Sequence, residues 1–115
     1  MIRQGDIAWL NLDPQSGHEQ KGRRPVLIIS SSDFQFATGN KLAMVCPITN
    51  TARSNLLHVK LDKQSKTTGF VMCEQVKVLD ITTRNCEIIE RIPTSILIKV
   101  LDRVQAISLL DTHTP

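Results

Sequence analysis

Aromatic side chains are scarce in this chain: three Phe, one Trp and no Tyr among 115 residues. That scarcity argues against recognition built mainly on stacked rings. Long hydrophobic runs are missing too. None approaches the roughly 18 residues that a membrane span needs. The start, MIRQGDIAWL, has no signal-type apolar stretch, because Gly5 and Asp6 interrupt it. The expectation is a cytoplasmic protein with no membrane attachment. Cysteine is sparse and odd in number: Cys46, Cys73 and Cys86 form no CxxC, and the first two sit in apolar runs. Buried free thiols fit that pattern better than disulfides. His18, His58 and His113 are scattered, with no ligand spacing to one another or to Cys, so neither a metal nor a cofactor is expected. Repeats, low-complexity tracts and linkers are absent. The length suits one domain over 1–115, with 111–115 as a frayed tail.

The charge that is present is unevenly placed. Residues 21–66 carry eight Lys or Arg against two acids, a net of +6 within a total of +3, so the remainder sums to −3. A positive half of this kind suits a polyanionic partner as well as it suits a solvated lysine surface.

Periodicity predicts a mainly β protein with a C-terminal helix. DIAWLNL (6–12) alternates apolar and polar positions. PVLIIS (25–30) is a continuous, β-branched run with Pro25 at its first position, where a strand tolerates proline. KLAMVCPIT (41–49) reads as a strand whose Pro47 implies an edge or a bulge. LLHVKL (56–61), FVMCEQVKVLD (70–80) and CEIIERI (86–92) read as further strands. SSDFQFATGN (31–40) reads as a loop with room for one short turn, and DKQSKTTG (62–69) as a turn. From Pro93 the period changes. Leu97, Val100, Leu101, Val104 and Ile107 fall at helical spacing through 93–110, with Thr94 or Ser95 as the cap. Ile96 and Ile98 fall outside that stripe and suggest a second buried face. The sum is a small, twisted, partly closed barrel with one helix packed on it.

The densest chemistry lies in DPQSGHEQKGRRP (13–25), a polar connection about twice as long as a hairpin needs. Gly17 and Gly22 let the chain bend close to a ligand. Arg24, directly before Pro25, is held at a strand end, where its planar fork of donors suits a phosphate. Pairing with Glu19 to pin the loop is the alternative role. Arg23 and Lys21 would add positive field. Thr49 and Asn50 end CPITN with a hydroxyl and an amide able to donate to a developing oxyanion, or simply to form a turn. Glu74 and Gln75, polar within an apolar stretch, are read as bonding loop backbones.

Taken jointly, these pieces resemble the MazF/PemK family of toxin endoribonucleases. Gly5-Asp6, Asp13-Pro14, Gly17-His18-Glu19-Gln20 and Arg24-Pro25 resemble the family's opening run in order and spacing. CPITN resembles its second motif and EQVKVLD its third, so the likeness extends over nearly the whole chain. It implies an SH3-like barrel of five to seven strands, shared with CcdB, and a homodimer. It further implies a single-stranded RNA substrate, cleavage without a metal, and a cognate acidic antitoxin. Residue by residue, it implies that Arg24 and Thr49 are catalytic and that Glu19 supports activity. Gly17, His18, Gln20, Lys21, Arg23, Asn50 and Arg53 are then expected to bind RNA. Glu19 and His18 both remain candidates for the base that takes the 2′-hydroxyl proton.

Two rival functions share the fold. A gyrase poison of the CcdB type relies on a C-terminal Trp-Gly-Ile, whereas this chain ends DTHTP. A non-catalytic RNA-binding module would keep the basic surface without needing Arg24 and Thr49 together.

Overall fold

The computed structural model of the chain describes residues 1–13, 22–51, 55–109 and 111–112. Among these, seven strands and two α-helices follow in the order β1 (Asp6–Asn11), β2 (Arg23–Ile28), α1 (Ser32–Ala37), β3 (Leu42–Thr49), β4 (His58–Lys60), β5 (Phe70–Met72), β6 (Lys77–Asp80), β7 (Glu87–Arg91) and α2 (Thr94–Ile107). All pairings are antiparallel. One sheet runs β7-β1-β2-β3-β6, and the β4–β5 hairpin pairs with the far end of β3 through Ile48 and Thr49. This is the mainly β fold with a C-terminal helix that the sequence implied, with seven antiparallel strands in an open sheet rather than a closed barrel.

Alternation along the strands feeds two cores. Ile7, Leu27, Ile29, Cys46 and Ile48 pack on one side with Val59, Val71 and the helix residues Ile96 and Val100. Leu10, Leu12, Val26, Ile28, Ala43 and Val45 pack on the other with Ile2 and Ile81. A period-two pattern delivers this only when both faces are covered, which explains why PVLIIS is apolar throughout.

Several elements differ from the sequence reading. The 70–80 run is not one strand, because a 3-10 turn at Cys73–Gln75 divides β5 from β6. The reason lies across the sheet. The backbone of Met44 faces β2, since Ile29 donates to its carbonyl at 2.9 Å. By alternation Val45, Pro47 and Thr49 face away from β2. Pro47 therefore has no N–H to offer where the partner of β3 changes from β6 to β5. It is neither on an edge strand nor at a bulge; it sits at the joint between two partners.

Residues 32–37 form a helix rather than a loop, capped by the Ser31 hydroxyl, which accepts from the Phe34 amide at 3.2 Å. Helix α2 begins without a side-chain cap, so neither Thr94 nor Ser95 plays that part. Ile96 belongs to its buried stripe, whereas Ile107 and Ile98 are 49% and 60% exposed. Among the described residues Glu74 meets a side chain instead of loop backbone: its Oε2 lies 3.0 Å from Nε2 of His58. Cys46 and Cys73 are free and buried, as expected. A hydrogen bond with Cys73 and burial push the Cys46 thiol far above its ordinary range, so it stays protonated. The expected tail at 111–115 falls mostly outside the described residues.

Candidate active site

Proline chemistry opens the end of the sheet where the candidate residues stand. Strand β2 starts at Arg23, two residues earlier than the apolar run, so both arginines are strand residues rather than loop residues. Arg24 pairs with Leu10 and Pro25 with Trp9. Ile29 donates toward β3, so by alternation Pro25 also faces β3, and it has no N–H to give. The β2–β3 ladder ends there, its last pair being Val26 with Pro47. Continuing the same register two residues further brings Arg24 level with Thr49, on adjacent strands and on the same face. By that register the two expected catalytic residues stand at neighbouring strand ends.

Beside this end lies a cleft of about 460 Å³, lined by Arg23, Arg24, Pro25, Asn50, Lys66, Thr67, Thr68 and the apolar side chains of Trp9, Ile48 and Ile89. Its described lining holds three cations and no acid, which is the polarity an anionic ligand requires. Asn50 accepts a hydrogen bond from the Thr68 hydroxyl at 3.0 Å. Thr49, between the lining residues Ile48 and Asn50 in the chain, is only 7% exposed, and its hydroxyl accepts from the Thr51 amide at 3.2 Å. That bond fixes the hydroxyl while leaving its proton available to a ligand oxygen.

Both arginines border the cleft. Arg23 donates to the Asn85 carbonyl at 2.6 Å and to Glu87 at 3.2 Å, which ties it to β7. It borders the cleft with part of its donor set already used. Arg24 is exposed on the cleft.

The described residues that flank the polar connection meet at this same end of the sheet. Leu12 donates to the Gly22 carbonyl and Gly22 to the Asp13 carboxylate, both at 2.8 Å. Arg84 donates to the carbonyls of Asn11 and Asp13. Gly17, His18, Glu19, Gln20 and Lys21 lie outside the described residues, as does Arg53. The described residues that flank the first five, Asp13 and Gly22, are hydrogen-bonded to each other beside Arg23 and Arg24.

The sequence reading missed the opposite wall. Lys66 was counted in the basic half, but Thr67, Thr68 and Trp9 were not singled out as site residues. The signal available was Thr-Thr-Gly before a strand. Gly69 has φ +122°. A Cβ there would meet the Thr49 carbonyl oxygen at 2.4 Å and Asn50 Oδ1 at 3.1 Å. Only glycine lets the 62–69 turn close against the end of β3.

Glu90, on β7, binds that turn through its carboxylate. Burial raises its pKa, but the Thr67 hydroxyl, the Lys66 and Thr67 amides and the Lys66 charge outweigh burial and hold it below the ordinary 4.5. Among the described residues no three His, Cys, Asp or Glu side chains gather as a metal site, and no helix is long and apolar enough to cross a membrane.

Known proteins share this sequence pattern and fold. The sequence profile of a family described as PemK-like, MazF-like toxins of type II toxin–antitoxin systems matches residues 3–108. The endoribonuclease PemK of Escherichia coli is 39% identical over 110 residues, covering 92% of this chain and 81% of PemK. The endoribonuclease toxin ChpB of Escherichia coli strain K12 is 35% identical, covering 92% of this chain and 93% of ChpB. Crystalline MazF from Deinococcus radiodurans superposes with a TM-score of 0.84 at 32% identity, covering 92% of this chain and 94% of that one. A MazE–MazF complex from the same organism gives 0.78 at 32% identity, with the same coverage.

Proposed function

The chain belongs to the PemK-like, MazF-like toxins of type II toxin–antitoxin systems, and from that premise we propose that it is a cytoplasmic endoribonuclease, formed of one domain, that cuts single-stranded RNA without a metal. The observation that carries this reading is the register that sets Arg24 level with Thr49 at an open strand end beside a cationic cleft. Neither a gyrase poison nor a passive RNA-binding module requires that pair.

The chemistry is attack by the RNA 2′-hydroxyl oxygen on its own phosphorus. The P–O5′ bond breaks, leaving a 2′,3′-cyclic phosphate and a 5′-hydroxyl. Arg24 presents its fork to the nonbridging oxygens, where charge builds in the phosphorane, and Thr49 donates a further hydrogen bond to one of them. A guanidinium stays protonated near neutrality, so Arg24 is no base. Glu19 or His18, from the segment anchored at Asp13 and Gly22, takes the 2′-hydroxyl proton, and the departing 5′-oxygen collects a proton from solvent. Gly17, Gln20, Lys21, Asn50 and Arg53 contact the RNA, with Arg23 contributing field more than direct bonds. With few aromatics, selectivity rests on hydrogen bonds to splayed base edges.

Two partners complete the reading. An acidic, partly disordered antitoxin covers the same cationic cleft, steered there by opposite charge. A second copy of the chain forms a twofold dimer. It covers apolar groups that α2 and its surroundings leave in solvent, among them Ile98, Ile107 and Leu109, the last 62% exposed.

The test is cleavage of a transcript followed by end-group analysis. Fragments ending in 2′,3′-cyclic phosphate and 5′-hydroxyl are expected, and an Arg24→Ala variant that melts like the parent protein should form them ~10²–10³-fold more slowly or not at all. Near-parental cleavage by that variant overturns the assignment.

A further inference from the structure

Glu90 stands near the end of β7 with its carboxylate turned toward the 62–69 turn. One oxygen accepts from the Lys66 amide at 2.9 Å; the other accepts from the Thr67 amide at 2.6 Å and the Thr67 hydroxyl at 2.7 Å. On the opposite flank Thr68 bonds Asn50, and Gly69 closes on Thr49. Four successive residues of the turn are therefore held from two sides, and Lys66, Thr67 and Thr68 line the cleft that also holds Arg24.

A carboxylate is an unexpected clamp beside a cleft for a polyanion. Its charge repels phosphate, and a neutral acceptor would avoid that cost. Three donors concentrated on one side chain resolve the conflict, because amide and hydroxyl bonds to an ionised acceptor are stronger than those to a neutral one. Within the turn Ser65 is buried at 8% exposure, next to Leu61 at 4%. What the carboxylate adds is the placement of residues 66–68.

We infer that Glu90 is a positioning residue that fixes the 66–68 turn as the second RNA-binding wall of the cleft, with Lys66 meeting a backbone phosphate on the flank away from Arg24. The inference rests on the RNA-cleaving reading above and adds binding residues to it. It also makes a prediction of sign. Removing a negative charge next to the cleft should tighten RNA binding if Glu90 acts only through its field. It should weaken binding if Glu90 acts by placing the turn.

The test uses the full chain with Glu90→Gln, Glu90→Ala, Lys66→Ala and the double variant Glu90→Ala/Lys66→Ala. Binding is read by fluorescence anisotropy on a labelled, mixed-sequence RNA 12-mer whose 2′-O-methyl groups prevent cleavage, across a range of salt. Cleavage is read as kcat and KM on a transcript. Each single variant is expected to weaken binding and raise KM by roughly five- to tenfold, with kcat within about twofold. The slope of log affinity against log salt should fall by about 0.7, one phosphate contact on a single strand, in Lys66→Ala and in Glu90→Ala alike. The double variant should be no worse than either single one, because both remove the same contact. Glu90→Gln keeps the side-chain shape and carries the test if Glu90→Ala melts early. Tighter or unchanged binding in Glu90→Gln, or additive losses in the double variant, overturns the inference while the parent's cleavage leaves the RNA reading intact. A parent protein that neither binds nor cuts RNA overturns both.

Discussion

Among the described residues, two clefts of nearly equal size differ in what lines them. The first, about 460 Å³, is bordered by Arg24, Arg23, Asn50 and Lys66. The second, about 430 Å³, is bordered by Met1, Ile2, Ile81, Cys86 and Ile88 with Asn40 as its polar member. The cationic cleft opens where β2 loses its ladder with β3, so polar side chains and backbone groups are freed together. The apolar cleft lies beside the second core, where Ile2 and Ile81 continue the packing of Leu10 and Val26 outward. Size does not distinguish a site from a gap in packing. The convergence of cations with hydrogen-bonding groups does.

The largest expected effect separates the two clefts directly. Arg24→Ala should lower cleavage by ~10²–10³-fold or more, the range for losing one donor to a transition-state oxyanion. Arg24→Lys should recover little of it, because a point charge does not replace the fork. Ile88→Ala in the apolar cleft should leave cleavage within about twofold, since surface changes away from a site have small effects. Cleavage rates on one transcript, with matched thermal melts, check the contrast. Equal losses in both clefts would break it.

The next effect tests the joint between the two walls. Gly69→Ala puts a Cβ where the Thr49 carbonyl oxygen stands, at a φ that L side chains rarely adopt. It should cost about 1–3 kcal/mol of stability. Displacement of Thr49 should cost on the order of 10² in rate. A thermal melt and single-turnover cleavage measure the two separately, and a variant with parental values for both would show that the turn can move freely against β3.

A smaller effect concerns pH. The Glu90 carboxyl is depressed in the folded chain, so the stability it contributes is present above the unfolded value of about 4.5 and fades as pH falls through the lower folded value. The difference in melting temperature between the parent and Glu90→Gln should be constant from pH 6 to 8 and shrink below about pH 4.5. A difference that grew toward acid would contradict the sign.

The smallest expected effects are absences. Excess EDTA should leave cleavage unchanged, as should iodoacetamide on Cys86, the partly buried thiol bordering the apolar cleft. Loss in EDTA with recovery on added magnesium would put the chemistry in another class of nuclease.

Much of this was legible in the chain, and the failures share a cause. The alternation of DIAWLNL, the β-branched run after Pro25 and the helical period beyond Pro93 are local patterns. Each was read within a few residues of its true bounds, because burial of one face or both is written into neighbouring positions. Pro47 was noticed but misassigned, since the break it marks belongs to the partner strand. The short helix at Ser32–Ala37 escaped because six residues make too little periodicity to outweigh polar composition. Glu90 looked like an ordinary polar position of an alternating strand. Its partners are the amides of Lys66 and Thr67, and no sequence pattern announces a backbone donor.

By itself the sequence determined that the chain would be mainly β with a C-terminal helix, that its cations would concentrate in one half, and that Arg24 and Thr49 would each stand at a strand end. Those are consequences of side-chain period, charge and proline, all properties of near neighbours. Only the tertiary structure decided that the two strand ends would lie level, that Arg23 would be tied to β7, and that the 62–69 turn would form a second wall held by Glu90. Each depends on strand register and on contacts between residues distant in the chain, which are selected by the packing of the whole fold.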